Sequence, residues 1–65
     1  MVKCFYKGRN GVTSLGDCQS AKEFFDMRES LALAVGLGVR RLLDGSAMRV
    51  YDEDEMLGEY YTEDA

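Results

Sequence analysis

Carboxylates dominate the chemistry open to this chain. Its 65 residues hold 12 Asp and Glu against 8 Lys and Arg, with two cysteines and no histidine, tryptophan or proline. Without histidine, Ser-His-Asp and Cys-His catalysis and histidine ligation of haem are excluded, and two cysteines alone cannot close a tetrahedral zinc shell. Asp52, Glu53, Asp54 and Glu55 form the densest acidic run. Paired carboxylates do acid–base work where burial or a fixed partner moves their pKa values apart, and consecutive residues in a solvated turn have neither. Their oxygens also suit Ca²⁺ or Mg²⁺, but the run lacks the glycine and ligand spacing of an EF-hand loop. Gly36-Leu37-Gly38 is no dinucleotide fingerprint, and Gly8-Arg9-Asn10-Gly11 lacks the lysine and length of a P-loop. The expectation is a protein that is not an enzyme and takes no metal or cofactor.

The net charge of −4 is unevenly spread. Residues 1–43 carry seven basic and four acidic side chains, a net +3, whereas residues 44–65 carry Arg49 against eight acids, a net −7. Charge asymmetry of this kind points to an interaction surface, and its plainer reading is a solubilising tail. Lys3, Lys7 and Arg9 could line one end of a hairpin with Phe5 or Tyr6 stacking a base. The acidic balance opposes that, because it repels phosphate over a Debye length of about 8–10 Å.

The reverse arrangement is more economical. Carboxylates a few ångströms apart offer a DNA-binding groove what a phosphate backbone offers, where charges recur about every 1.7 Å of axis. The candidate contacts are Asp52, Glu53, Asp54, Glu55, Glu59, Glu63 and Asp64, with Tyr51, Tyr60 or Tyr61 as an aromatic anchor. In size, charge and lack of catalytic residues, the chain resembles the small acidic inhibitors that phages and mobile elements use against CRISPR or restriction complexes. The resemblance is one of overall character and includes no motif. It implies a protein partner: an inhibitor that occupies the basic nucleic-acid-binding surface of a larger complex by DNA mimicry, with no direct nucleic-acid contact. Two other readings stand beside it. One is a small dimerising accessory module, joined through Leu33 and Leu37 or an unpaired sheet edge; the other is a nucleic-acid binder using the first hairpin.

No secretory h-region follows Met1, and the longest apolar run, residues 31–39, falls well short of the ~20 residues that span a bilayer. These features lead to the expectation of a single domain over residues 1–65, cytoplasmic, off the membrane, monomeric or homodimeric, with both cysteines reduced.

The elements that would position these groups can be read from periodicity. Residues 2–7 alternate as a strand, and Asn10-Gly11 predicts a tight hairpin back along residues 12–15. A two-residue Asn10-Gly11 loop sets Cys4 opposite Asp17, and one bulged residue would set it opposite Cys18, so a disulfide is open but not implied. Ser20 and Glu23 form a capping-box pattern. Phe24, Met27 or Arg28, Leu31, Val35, Val39 and Leu42 then recur at helical spacing, which predicts a helix over residues 21–43 stopped at Asp44-Gly45. Residues 31–39 also alternate with period two, a competing strand reading, and Gly36 and Gly38 are the places where a helix would break. Residues 46–51 and 56–62 read as a second hairpin, with Val50 facing Leu57 and Tyr51 facing Met56. Tyr60 and Tyr61 point to opposite faces, and the acids gather on one edge. The fold class is α+β: a two-layer sandwich in which one long helix covers an antiparallel sheet of three or four strands, ordered ββαββ or βαββ.

Overall fold

The computed structural model describes residues 1–64 and has α+β architecture, with five strands and one helix. The strands are β1 (Val2–Gly8), β2 (Gly11–Cys18), β3 (Gly38–Arg41), β4 (Ala47–Asp52) and β5 (Glu55–Asp64), and the helix α1 (Ala21–Ala34) lies between β2 and β3. They form one open antiparallel sheet in the order β2-β1-β5-β4-β3. The sheet therefore has five strands rather than three or four, and the chain order is ββαβββ.

The extra strand comes out of the expected helix. Ser20 caps α1, its Oγ accepting from the Glu23 amide at 3.2 Å. The helix stops at Ala34, because Gly36 takes φ 84°. There the Leu37 amide donates to the Ala32 carbonyl (3.0 Å) and the Gly36 amide to the Leu33 carbonyl (3.1 Å). This pair of bonds is a Schellman closure, which glycine stabilises by entering the left-handed region without a Cβ clash. The 14-residue helix thus replaces the 23-residue one read over residues 21–43. Arg40 and Arg41 sit in β3 and not in a last helical turn. From there Arg41 reaches back to α1, pairing with Asp26 at 2.8 Å and Glu29 at 2.7 Å.

The first hairpin also departs from the expected register. Arg9 and Asn10 are the loop, both with negative φ, and Gly11 takes φ 112° after it. Glycine is thus used one position later than a primed Asn-Gly turn requires, and Gly8 pairs with Gly11. A bulge between Cys4 and Phe5 shifts the ladder again, with Gly16 at φ 91°. Cys4 consequently faces Gly16 and Cys18 faces Val2. Both cysteines are free thiols. Burial pushes the Cys4 thiol up to about 11, and the adjacent Cys18 thiol adds to the rise.

The core lies between α1 and the sheet. Cys4, Phe24, Phe25 and Met48 are buried together, with Val2, Leu15, Cys18, Ala21, Val39 and Tyr60 packed around them. Phe24 and Phe25 both point inward, which rotates the buried stripe of α1 towards Ala32. Leu31 and Val35, expected on that stripe, are exposed, as are Met27 and Leu33.

Gly58 is fixed by close approach. It lies in the central strand β5, and the Tyr6 ring rests over it with its hydroxyl donating to the Leu57 carbonyl at 3.2 Å. A Cβ at Gly58 would overlap that ring. Gly58→Ala is expected to cost about 1–3 kcal/mol by overpacking. In a Tyr6→Ala background the same change should cost much less. Chemical denaturation of the four proteins measures this, and equal costs in both backgrounds would contradict the contact.

Candidate functional site

β5 decides where the acids go. It pairs with β4 through the short turn Glu53-Asp54, where Asp52 faces Glu55 and Tyr51 faces Met56 as the spacing predicted. Next to them the register shifts, so Val50 faces Gly58 and Leu57 is left over, in place of the expected Val50–Leu57 pair. Glu53 is the one described non-glycine residue with positive φ, 55°, a conformation that costs a side-chain-bearing residue free energy. The tip of the β4–β5 hairpin therefore holds Glu53 and Asp54 in a sharp two-residue turn, flanked by the strand-end pair Asp52 and Glu55, all exposed.

The other acids do not join them. Glu63 and Asp64 end β5, nine residues from Glu55, which at strand rise is about 30 Å away. The single acidic edge expected from the sequence is thus two patches at opposite ends of the molecule. Glu59 lies between them and is ion-paired to Arg49 at 3.4 Å. Arg9, at the turn of the first hairpin, pairs with Glu55 and ties the two hairpin ends together. Asp52, Glu53 and Asp54 make no ion pair among the described residues. Among the described residues they are the longest run of carboxylates without an ion pair.

The three tyrosines separate. Tyr60 points under α1, with its ring 5.8 Å from that of Phe24 in an edge-to-face contact and the Arg28 guanidinium 5.4 Å from its centre. It serves packing and is not offered to a partner. Tyr61 lies on the opposite face, stacked on Phe5. Tyr51 alone adjoins the acidic tip. Together with Gly38, Val39, Arg40, Glu53 and Asp54 it lines a shallow groove of about 290 Å³. The β3 residues of this groove were missed from sequence because they were read as helix. The period-two alternation through Val39 and the break at Gly36 were the signals that could have placed them in a strand.

What Asp52, Glu53 and Asp54 offer chemically at the tip is a set of exposed carboxylate oxygens without internal cations. Among the described residues no group of three or more His, Cys, Asp or Glu is gathered to hold a metal ion, and no helix is long and apolar enough to cross a membrane. No protein family, curated protein or solved structure matches the chain.

Pairing also leaves a mark on titration. Hydrogen bonds from Lys22 and Arg41 hold the Asp26 carboxyl below its ordinary value of 3.8, and bonds from the Ser46 hydroxyl and amide do the same for Asp44. A carboxyl lowered on folding stabilises the fold above the unfolded value, and that contribution is lost as pH falls through the lower folded value. In an NMR carboxyl titration Asp26 is expected to have its midpoint below 3.8, rising towards 3.8 in Lys22→Met and Arg41→Met. A midpoint indifferent to both changes would contradict the pairing.

Proposed function

We propose that this is a non-catalytic binding protein whose acidic β4–β5 tip engages a basic, nucleic-acid-binding surface on a larger protein complex. It acts as an inhibitor by presenting carboxylates in place of phosphates, in the manner of the small acidic phage inhibitors it resembles in size and charge. It works in a reducing cytoplasm, as its two free thiols suit.

The observation that carries this reading is the sorting of the acids. Asp26, Glu29, Glu55 and Glu59 are each matched by a basic side chain within the chain. The three consecutive carboxylates of Asp52, Glu53 and Asp54 are not matched among the described residues, and they project from the end of a two-stranded hairpin. Unmatched like charges held together on a surface are stabilised by a partner of opposite sign, and they steer its approach. The Tyr51 ring, in the groove beside them, supplies an aromatic surface for an arginine or lysine side chain. Glu59, Glu63, Asp64, Tyr60 and Tyr61 are not part of this contact as proposed, because they lie along the sheet, under the helix or at the far end.

The test is capture from nuclease-treated lysate on the immobilised chain, followed by competition with double-stranded DNA. The captured complex should be displaced by DNA and weakened by rising salt. The triple change Asp52→Lys/Glu53→Lys/Asp54→Lys should weaken capture about 100-fold or more, since like charges then face each other. Asp64→Asn, at the other end, should leave it unchanged. Capture that survives the triple change, or that DNA does not displace, would overturn the proposal.

A further inference from the structure

Among the described residues, the face of the sheet turned away from α1 has no covering element. Strand alternation puts Lys3, Phe5 and Lys7 of β1 on it, with Glu63, Tyr61 and Glu59 of β5 directly opposite them. Arg49 of β4 lies beside Glu59. Phe5 and Tyr61 stand at the centre, their ring centroids 5.1 Å apart and their planes at 18°. Two rings lying flat on the sheet side by side could not come so close, so the rings stand upright and stack on each other. They offer solvent their edges and not the flat platform on which a nucleobase stacks. Charge speaks against a polyanion too. Lys3, Lys7, Arg40 and Arg49 are interleaved on this face with Asp17, Glu59 and Glu63, so it carries no single sign.

The pattern is complementary to itself. Its three central cross-strand pairs are Lys3–Glu63, Phe5–Tyr61 and Lys7–Glu59, with both cations on β1 and both carboxylates on β5. A two-fold axis running along the strands, midway between β1 and β5, lays β1 of one copy over β5 of the other at the same level. Lys3 and Lys7 of each copy then meet Glu63 and Glu59 of the other, and the two aromatic stacks close into a cluster of four rings. We infer that this face is a self-association surface and that its partner is a second copy of the chain, sheet against sheet with the helices outside.

Size supports the same occupant. Five strands about 4.8 Å apart and about six residues deep make a face of roughly 24 by 20 Å, so two copies remove about 1,000 Å² from solvent. That is the lower bound for a specific interface and fits a micromolar dimer. Among the described residues the isolated chain buries only seven hydrophobic side chains, and its cysteines are free; a domain this small gains proportionately from a second buried face. The axis also turns both acidic tips to the same end of the dimer. The self-association itself does not depend on what the tips bind.

Sedimentation equilibrium of the full chain tests this, from about 5 to about 500 µM, the range in which interfaces of this area associate. A monomer–dimer equilibrium is expected. Lys3→Glu and Glu63→Lys should each weaken it about tenfold or more, and the two together should restore it. Lys7→Glu, at another exposed position, asks the same question if Lys3→Glu does not fold, with circular dichroism reporting the fold of each variant. A chain that stays monomeric throughout would overturn the inference. So would a dimer that tolerates these single changes but is lost on Leu31→Glu at the exposed flank of α1. Saturable binding of a labelled single-stranded oligonucleotide to the wild-type monomer, lost in Tyr61→Lys, would assign the face to nucleic acid instead.

Discussion

β5 hydrogen-bonds to β1 on one side and to β4 on the other, so the most acidic stretch of the chain is also the one that joins two hairpins into a single sheet. Every carboxylate within that strand must then sit beside neighbours fixed by register. Glu59 falls between Lys7 and Arg49, and Glu63 falls opposite Lys3. Cross-strand pairs of opposite charge favour this register, and a slip of one residue would move each of these side chains to the other face. The strand's interior charge is thus largely absorbed by the fold. The uncompensated remainder lies at the two ends of the strand, at the turn that enters it and at Asp64.

The helix depends on the same strand. α1 covers the sheet through Phe24 and Phe25, which pack on Cys4, Met48 and Tyr60 from three adjacent strands with β5 in the middle. Tyr6 leans over Gly58 to complete that layer. Arg41 clamps the outer edge of the helix to β3. Both exposed ion pairs of this clamp are worth little in isolation, but sharing one guanidinium fixes the direction in which β3 leaves α1.

The α+β class, the two hairpins, the Ser20 cap and the pairing of Tyr51 with Met56 were legible in the sequence, because each rests on local alternation or a local hydrogen bond. The end of the helix was not. Alanine and leucine favour continuing it past residue 34, and the competing alternation over residues 31–39 was the correct hint for the segment beyond Gly36. Propensity gave way there to tertiary pairing, since β3 gains a ladder with β4 that a longer helix could not make. The bulges at Leu57 and at Leu15-Gly16 were only half legible, since the adjacent Gly58 and Gly16 mark a possible bulge but not which residue the ladder skips. At the candidate site, the acidic tip was readable from residue types alone. Its separation from Glu63 and Asp64, and the compensation of Glu55 and Glu59 by Arg9 and Arg49, required strand order and register.

β5 lies inside the sheet, and its register holds Glu55 and Glu59 beside basic side chains while Asp52, Glu53 and Asp54 are left at the tip. Amide hydrogen exchange measures that placement most directly. Amides paired on both sides of β5, from Gly58 to Thr62, are expected to exchange only through global opening and more slowly than those of the edge strands β2 and β3. Exchange in β5 as fast as in the edge strands would contradict its central position, and with it the division of charge on which the functional reading stands.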